Sequence, residues 1–298
     1  MELFFNNYIL FWTCIFGLCF GSFYNVVILR SLSDESIVFP PSKCPKCNNR
    51  LKPWHNIPVI SYLFLRGRCA FCKEKISIQY PIIEILTMCL FALSFIKFGF
   101  SFKTLFAIIL SSSLLIMTMT DLKSKLVDCN IAIGLGIIGF IYSWLLLSTP
   151  LDSFLGLILG IVIFELLAWS GYLFTKSRAF GEADTYVAAA LGACFGIKGL
   201  IIVLLYTLIA SMVFIIPMFL YQQFKKKNFG LAIVFILFLL TAILFKFVYQ
   251  EGLVLMLLAT LGAVLAFKIL KNLKQEPTPL YLPLVPAFAI GALYYLFF

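Results

Sequence analysis

Acidic residues are scarce in this chain, and histidine is nearly absent. Of 298 residues, 13 are Asp or Glu and one, His55, is histidine. A single histidine cannot by itself build a histidine metal centre or a Ser-His-Asp triad, so His55 reads as a surface loop residue. No glycine-rich loop of the kind that cradles a nucleotide phosphate is present, and no internal repeat is visible. Charged residues make up 12% of the chain against 62% hydrophobic, with a mean hydropathy of +1.05. An ordinary soluble domain carries roughly 25% charge, so that class is excluded. What remains is a polytopic membrane protein, whose backbone must satisfy its own hydrogen bonds inside the bilayer. The net charge of +10 does not point to nucleic acid, because the basic residues are spread over several short loops.

Apolar runs fall near 8–28, 82–98, 104–120, 130–147, 153–174, 186–196, 199–220, 231–249, 252–270 and 280–298. A helix needs about 20 apolar residues to cross. The run 186–196 is too short for a standard crossing and reads as tilted, re-entrant or continuous with its neighbour. Glu2, not a basic segment, precedes the first run, and no small-residue cleavage site follows it. That run therefore reads as a span and not as a cleavable leader. Loop 29–80 holds nine lysines and arginines, and the turns near 121–128, 176–178, 225–227 and 268–274 hold ten more of the chain's 23. If ten spans alternate, all of these lie on one side. Positive charge stays in the cytoplasm, so the N-terminus is placed outside and loop 29–80 inside. The expected fold class is all-α and polytopic, with about eight to ten transmembrane helices and a small cytoplasmic loop domain. The expected parts are a first transmembrane helix (1–28), the cytoplasmic loop (29–80), a transmembrane core (81–224), an accessory transmembrane hairpin (225–275) and a last transmembrane helix (276–298).

Two aspartates stand out against this background. Asp121 closes one apolar run and Asp184 opens another, and the alternation puts both at the cytoplasmic edge. A carboxylate beside hydrocarbon is costly, so it marks a functional site by default. Two carboxylates that meet do not both ionise easily and hold one shared proton. The ionised member activates water and the protonated member donates to a scissile carbonyl oxygen; the titration belongs to the pair. Asp128, seven residues after Asp121, can share its helix face and is its local rival. Asp34, Asp128 and Asp152 read as solvated loop residues or helix N-caps. Glu84 reads as an edge residue, or as a partner of Arg30 or a loop lysine. Glu165, deep within a span, reads as bonded in neutral form to a neighbouring helix.

The loop 29–80 contains Cys44-Pro-Lys-Cys47 and Cys69-Ala-Phe-Cys72, separated by 21 residues. Two CxxC knuckles at this separation place four thiolates around one zinc ion. A reducing cytoplasm disfavours disulfides, and Lys43, Lys46, Arg68 and Lys73 favour the thiolate form. Four thiolates leave no open coordination position, so the expected zinc is structural. A loop of this size has too little core to fold without such a staple. Cys14, Cys19, Cys89, Cys129 and Cys194 lie in or beside apolar spans and read as small packing residues.

Several segments resemble the bacterial prepilin leader peptidase/N-methyltransferase family, in the family's order. They are Phe20-Gly-Ser-Phe-Tyr-Asn-Val-Val-Ile-Leu-Arg30, the two CxxC knuckles with Leu51, Trp54-His-Asn-Ile-Pro-Val-Ile-Ser61, Gly67-Arg-Cys69, Ile76-Ser77, and Tyr80-Pro-Ile-Ile-Glu84. Asp121-Leu-Lys-Ser-Lys-Leu-Val-Asp128, Gly181-Glu-Ala-Asp184 and Leu282-Pro-Leu-Val-Pro286 follow. The third-last segment's Asp121 and the Asp184 of the family's Gly-x-Gly-Asp motif match its catalytic pair. Three departures are visible. Ala183 replaces the second motif glycine and restricts positive φ. Thr185 and Tyr186 stand where a lysine often follows. The segment 225–275 adds two apolar runs.

The resemblance implies an aspartic membrane endopeptidase in the bacterial inner membrane. Its substrate is a prepilin or pseudopilin with a short basic leader, a glycine before the cut and an apolar helix in the bilayer. The resemblance also implies methylation of the new N-terminus from S-adenosylmethionine. For that activity the cysteine loop, with Trp54, Asn56 and Pro58, supplies the candidate positions. Two readings from other classes compete. A transporter is suggested by the short run 186–196 and by Glu165. An inactive assembly scaffold that docks through the zinc loop is suggested by Ala183. The oligomeric state is not encoded in any feature of the sequence.

Overall fold

The computed structural model describes residues 2–33, 35–39, 41–44, 46–175, 181–225, 230, 233–234, 236–237 and 283–298. The chain divides into two compact units, Met1–Leu208 with Pro283–Phe298, and Ile209–Leu282. The first unit carries both aspartates and the cysteine loop. The expected spans 231–249 and 252–270 lie almost wholly outside the described residues, as does most of the accessory hairpin.

The described elements are helical: α1 (Glu2–Ser31), the short α2 (Ile60–Phe64), α3 (Gln79–Phe98), α4 (Phe102–Ser124), α5 (Cys129–Tyr142), α6 (Pro150–Thr175), α7 (Glu182–Lys225) and α8 (Val285–Phe297). A single π-helical turn, Ser143–Leu147, prolongs α5. Among the described residues, strand-like pairing is limited to two isolated bridges in the cysteine loop. Six of these helices are long and apolar enough to cross a membrane, and α8 is a shorter apolar helix.

Local signals set the helix ends. Gly99 adopts φ 61° after α3 and its N–H bonds Phe95 O at 2.8 Å, the left-handed close that glycine permits. Ser101 caps α4 by accepting the Thr104 N–H. Asp128 caps α5 by accepting the Asn130 N–H at 2.9 Å, the cap role the sequence suggests. Lys125, left-handed at φ 60°, ends α4 with its N–H on Asp121 O.

Without a hydrophobic driving force between helices in lipid, close backbone approach at small residues provides the packing. Gly17 and Gly21 of α1 lie one turn apart against α3. A Cβ at Gly17 would stand 2.7 Å from Met88 Cα, and one at Gly21 would stand 2.6 Å from Glu84 Cα. Gly156 and Gly160 of α6 press in the same way on Gly192 and Ala188 of α7. Asn25 clasps the first pair, donating to Gly21 O and, at 3.1 Å, to Tyr80 O. The Tyr24 hydroxyl donates to Ser112 Oγ of α4 at 2.9 Å. The segment Phe20–Arg30 is therefore a packing seam joining α1 to α3 and α4.

The helix α7 breaks at Gly196, which has φ 67° and ψ −173°. Ala188 and Gly192, before the break, lie against Gly160 and Gly156, running antiparallel to α6. After the break, Gly199 meets Tyr295 while Val203 and Thr207 meet Gly291. The chain thus reverses at Gly196 and returns antiparallel to α8. The short run 186–196 is a limb of its own, joined at this break to the run that follows. Asp152 of α6 steadies the reversal by accepting the Ile197 N–H at 3.3 Å, and a side chain at Gly196 would collide with its carboxylate. At 1.5 Å per residue the limb 182–195 is about 21 Å long, short of the roughly 30 Å hydrocarbon core.

Gly21→Val should destabilise the protein by roughly 1–3 kcal/mol through overpacking against α3. Gly134→Ala, where a Cβ would meet nothing within 4 Å, should leave stability unchanged or raised. The thermal midpoint in detergent, read with a thiol-reactive dye, checks both.

Candidate functional site

Asp121 and Asp184 belong to elements far apart in sequence, and the fold brings them to the same end of the helices. Asp121 sits in the last turn of α4 and is 2% exposed. Its Oδ2 accepts the Val285 N–H at 3.1 Å. Val285 is the first residue of α8, so Asp121 satisfies one of the orphan donors of that helix. Asp184 lies in the first turn of α7 and is half-buried. Its Oδ2 accepts the Gly181 N–H at 3.1 Å, while its own N–H bonds Gly181 O at 3.2 Å. This is one arm of a capping box, with Gly181 in the cap position and the carboxylate three residues on. The two carboxyl groups lie within electrostatic reach of one another. Each is anchored on the backbone N–H groups of a helix N-terminus, where the macrodipole favours negative charge.

The geometry also explains the replacement of the motif glycine. Ala183 lies within the first turn of α7, and neither it nor Gly181 has positive φ. Alanine is a good helix former there, so the turn does not depend on a second glycine. Gly181 stands just before the helix start. Its contribution is a cap N–H beside a carboxylate that a Cβ would approach to 3.4 Å. Of the other acidic residues, Glu165 accepts the Thr185 hydroxyl at 3.3 Å, a bond to the neighbouring helix one residue from Asp184. Asp34 lies outside the described residues.

The four cysteines of the loop also come together. The Sγ atoms of Cys44, Cys47, Cys69 and Cys72 all lie within 4.8 Å of one another. Cys44 and Cys72 stand 3.9 Å apart, close to the edge of about 3.8 Å implied by a tetrahedron with 2.3 Å Zn–S bonds. The two knuckles share one backbone pattern. Cys44 N–H bonds Asn49 O and Asn48 N–H bonds Cys44 O; Cys69 N–H bonds Glu74 O and Lys73 N–H bonds Cys69 O. Asn48 and Lys73 both take positive φ, and the bridges Lys43 to Arg50 and Arg68 to Lys75 close the two turns. The N–H groups of Cys72 and Phe71 draw the Cys69 thiol down to about 7, favouring the thiolate that a metal takes. The donor set and its spacing fit a four-coordinate zinc ion with no open position.

A cavity of about 330 Å³ lies between the knuckles and the adjoining ends of α1 and α3. Glu84, 6% exposed, reaches into its wall. Its Oε2 accepts the Val59 N–H at 2.7 Å, and Ser22 is its other hydrogen-bond partner. Glu84 thus bonds the loop backbone and not Arg30, whose Nη1 donates to Ser36 O and Ile37 O. Val59 is β-branched with φ 60°, a strained conformation that neighbours must hold in place. His55 is partly exposed. It packs on Phe71 with ring centroids 5.6 Å apart and lines the cavity, and its buried Nδ1 has no hydrogen-bond partner among the described residues. Of Trp54, Asn56 and Pro58, only Asn56 lines this cavity.

Together these features define an all-helical polytopic membrane protein with a paired-aspartate centre and a four-cysteine cluster at one end. The profile of the bacterial peptidase A24 N-terminal domain matches residues 15–98, and that of the type IV leader peptidase family matches residues 108–216. Among curated proteins, the prepilin leader peptidase/N-methyltransferase of Neisseria gonorrhoeae is 35% identical over 241 residues, covering 72% of this chain and 83% of its own. The protein of that name from Bacillus subtilis is 36% identical over 190 residues, 62% of this chain and 73% of its own. The one from Myxococcus xanthus is 35% identical over 193 residues, 64% of this chain and 58% of its own length. No solved structure matches. The chain belongs to the prepilin leader peptidase/N-methyltransferase family.

Elemental analysis of the purified protein should find a single zinc ion per chain, and Cys69→Ser should lose it. Chelation should also expose the segment between the knuckles to proteolysis, because the loop has too little core to stay folded alone.

Proposed function

We propose that the protein is a membrane aspartic endopeptidase that removes the leader of type IV prepilins or pseudopilins. It cuts after glycine at the cytoplasmic face of the bacterial inner membrane, and then N-methylates the new terminus using S-adenosylmethionine. The observation that carries this reading is the placement of Asp121 and Asp184 within electrostatic reach of one another, each tied to a backbone N–H at a helix start. The pair holds one proton between two oxygens. The ionised carboxylate takes a proton from water as the water attacks the scissile carbonyl. The protonated carboxyl donates to the carbonyl oxygen, and the proton then passes to the leaving amine. The substrate enters laterally, its apolar helix staying in the bilayer.

Zinc held by Cys44, Cys47, Cys69 and Cys72 acts structurally, shaping the loop. The positive-inside distribution supports a cytoplasmic location for that loop and for both aspartates. The transporter reading gains nothing from the site, since the aspartates stand at one end and not at a midplane. The scaffold reading loses its motivation, because Ala183 fits the helix it occupies.

The test is incubation of the detergent-purified protein with a prepilin carrying the glycine junction and S-adenosylmethionine, followed by mass spectrometry of the substrate's N-terminus. A cut after glycine with one added methyl is expected. Asp121→Ala and Asp184→Ala should each lower cleavage at least about 100-fold with normal expression. Full activity in either would remove the dyad from the mechanism.

A further inference from the structure

We infer that the cavity between the cysteine knuckles and the α1–α3 seam is the S-adenosylmethionine site, with Glu84 facing the ligand's sulfonium. This rests on the methyltransferase reading above. Four observations converge on it. The cavity, about 330 Å³, lies in the ~300–1,000 Å³ range of small-molecule sites. Its walls combine apolar side chains, Leu51, Leu65 and Ile76, with convergent charges of both signs. The His55 ring lines the cavity, an aromatic face on which a flat heterocycle can stack. Glu84 is a buried carboxylate that spends one oxygen holding a strained backbone at Val59, and strain of this kind concentrates at binding sites.

The chemistry of the wall matches that of the ligand. S-adenosylmethionine presents a positive sulfonium, a carboxylate, an ammonium and an apolar adenine face. Among the lining residues, Glu84 would supply negative charge for the sulfonium, Lys43, Lys46 and Lys75 positive charge for the carboxylate, and Glu74 negative charge for the ammonium. When bound, the ligand gives its methyl to the lone pair of a neutral amine. The carbon–sulfur bond breaks, sulfur leaves as a neutral thioether, and the amine's proton passes to solvent. The cavity is built partly by Cys44 and Cys69, so its shape depends on the metal-held knuckles. Neither Asp121 nor Asp184 lines it, so it is a site apart from the dyad.

Equilibrium binding to the full-length protein in detergent tests the assignment, using S-adenosylmethionine and its neutral thioether product, S-adenosylhomocysteine. Glu84→Gln keeps an acceptor for the Val59 N–H and removes only the charge. It should weaken S-adenosylmethionine about tenfold while changing the neutral product less than about twofold, since only the former carries charge at sulfur. A merely structural role for Glu84 would weaken both ligands equally, and that result would overturn the assignment. Ser61→Phe, which fills the cavity from α2, should abolish binding of both ligands while the protein elutes as the wild type does. Unchanged binding in Ser61→Phe would place the methyl-donor site elsewhere. If the wild-type protein binds neither ligand with its zinc loop intact, the methyltransferase reading itself fails.

Discussion

Two carboxyl groups of like charge repel, and they sit together only where something else holds each of them. Here the restraint is a helix start. Asp121 is held by the first N–H of α8 and Asp184 by the cap N–H of α7. Both helix ends would otherwise carry unsatisfied donors, so each contact serves two needs at once. The alignment of α7 and α8 with α4 then becomes a condition of the site. Much of the rest of the fold can be understood as what brings two helix N-termini to the end of a third helix.

That demand explains the density of small residues. A helix start can reach a carboxylate on a neighbour only if the backbones run close. Gly156 and Gly160 against Gly192 and Ala188, Gly136 against Ala190, and Gly291 against Val203 and Thr207 are the places where they do. The reversal at Gly196 has the same effect. It packs two antiparallel limbs into one unit, so that a single break orders the α7 start against α6 and the second limb against α8. The limb that carries Asp184 is shorter than the bilayer core, as is the 13-residue α8. Both pack closely among other helices.

Much of this was legible in the sequence, for identifiable reasons. Apolar runs of this length announce helices because a helix satisfies all its backbone hydrogen bonds within its own segment, as lipid demands. The cysteines announce their cluster because the CxxC spacing fixes local geometry. Even the reversal at Gly196 left a trace, in a run too short to cross alone. What stayed hidden were contacts across long separations that leave no periodic mark. The Val285 N–H meets Asp121 over 164 residues, and a backbone donor has no side chain to betray it. Asp152 looked like a loop residue because its partner, the Ile197 N–H, exists only once the helix breaks. His55 looked exposed because the shielding of its Nδ1 depends on residues that the folded loop brings to it, Phe71 of the second knuckle among them. Ala183 looked like a defect only while the motif was pictured as a glycine turn; as helix it is ordinary.

The arrangement also bears on how two reactions can share one substrate. The amine that would accept a methyl does not exist until the peptide bond is cut, so cleavage must come first. Cavity and aspartates lie at the same end of the helices, and the seam that joins them is explicit. Glu84 of α3 forms the cavity wall, Asn25 of α1 clasps α3, and Tyr24 of α1 bonds Ser112 on α4, the helix that ends in Asp121. With the methyl donor held in that cavity, as inferred above, a product whose apolar helix remains in the bilayer would pass from one site to the other by sliding along the membrane edge. It need not withdraw that helix from lipid, the step that would cost most. A soluble methyltransferase would have to extract the same terminus from the membrane surface, and on this assignment the α1 seam would remove that need by holding the cavity and the aspartates on one set of helices.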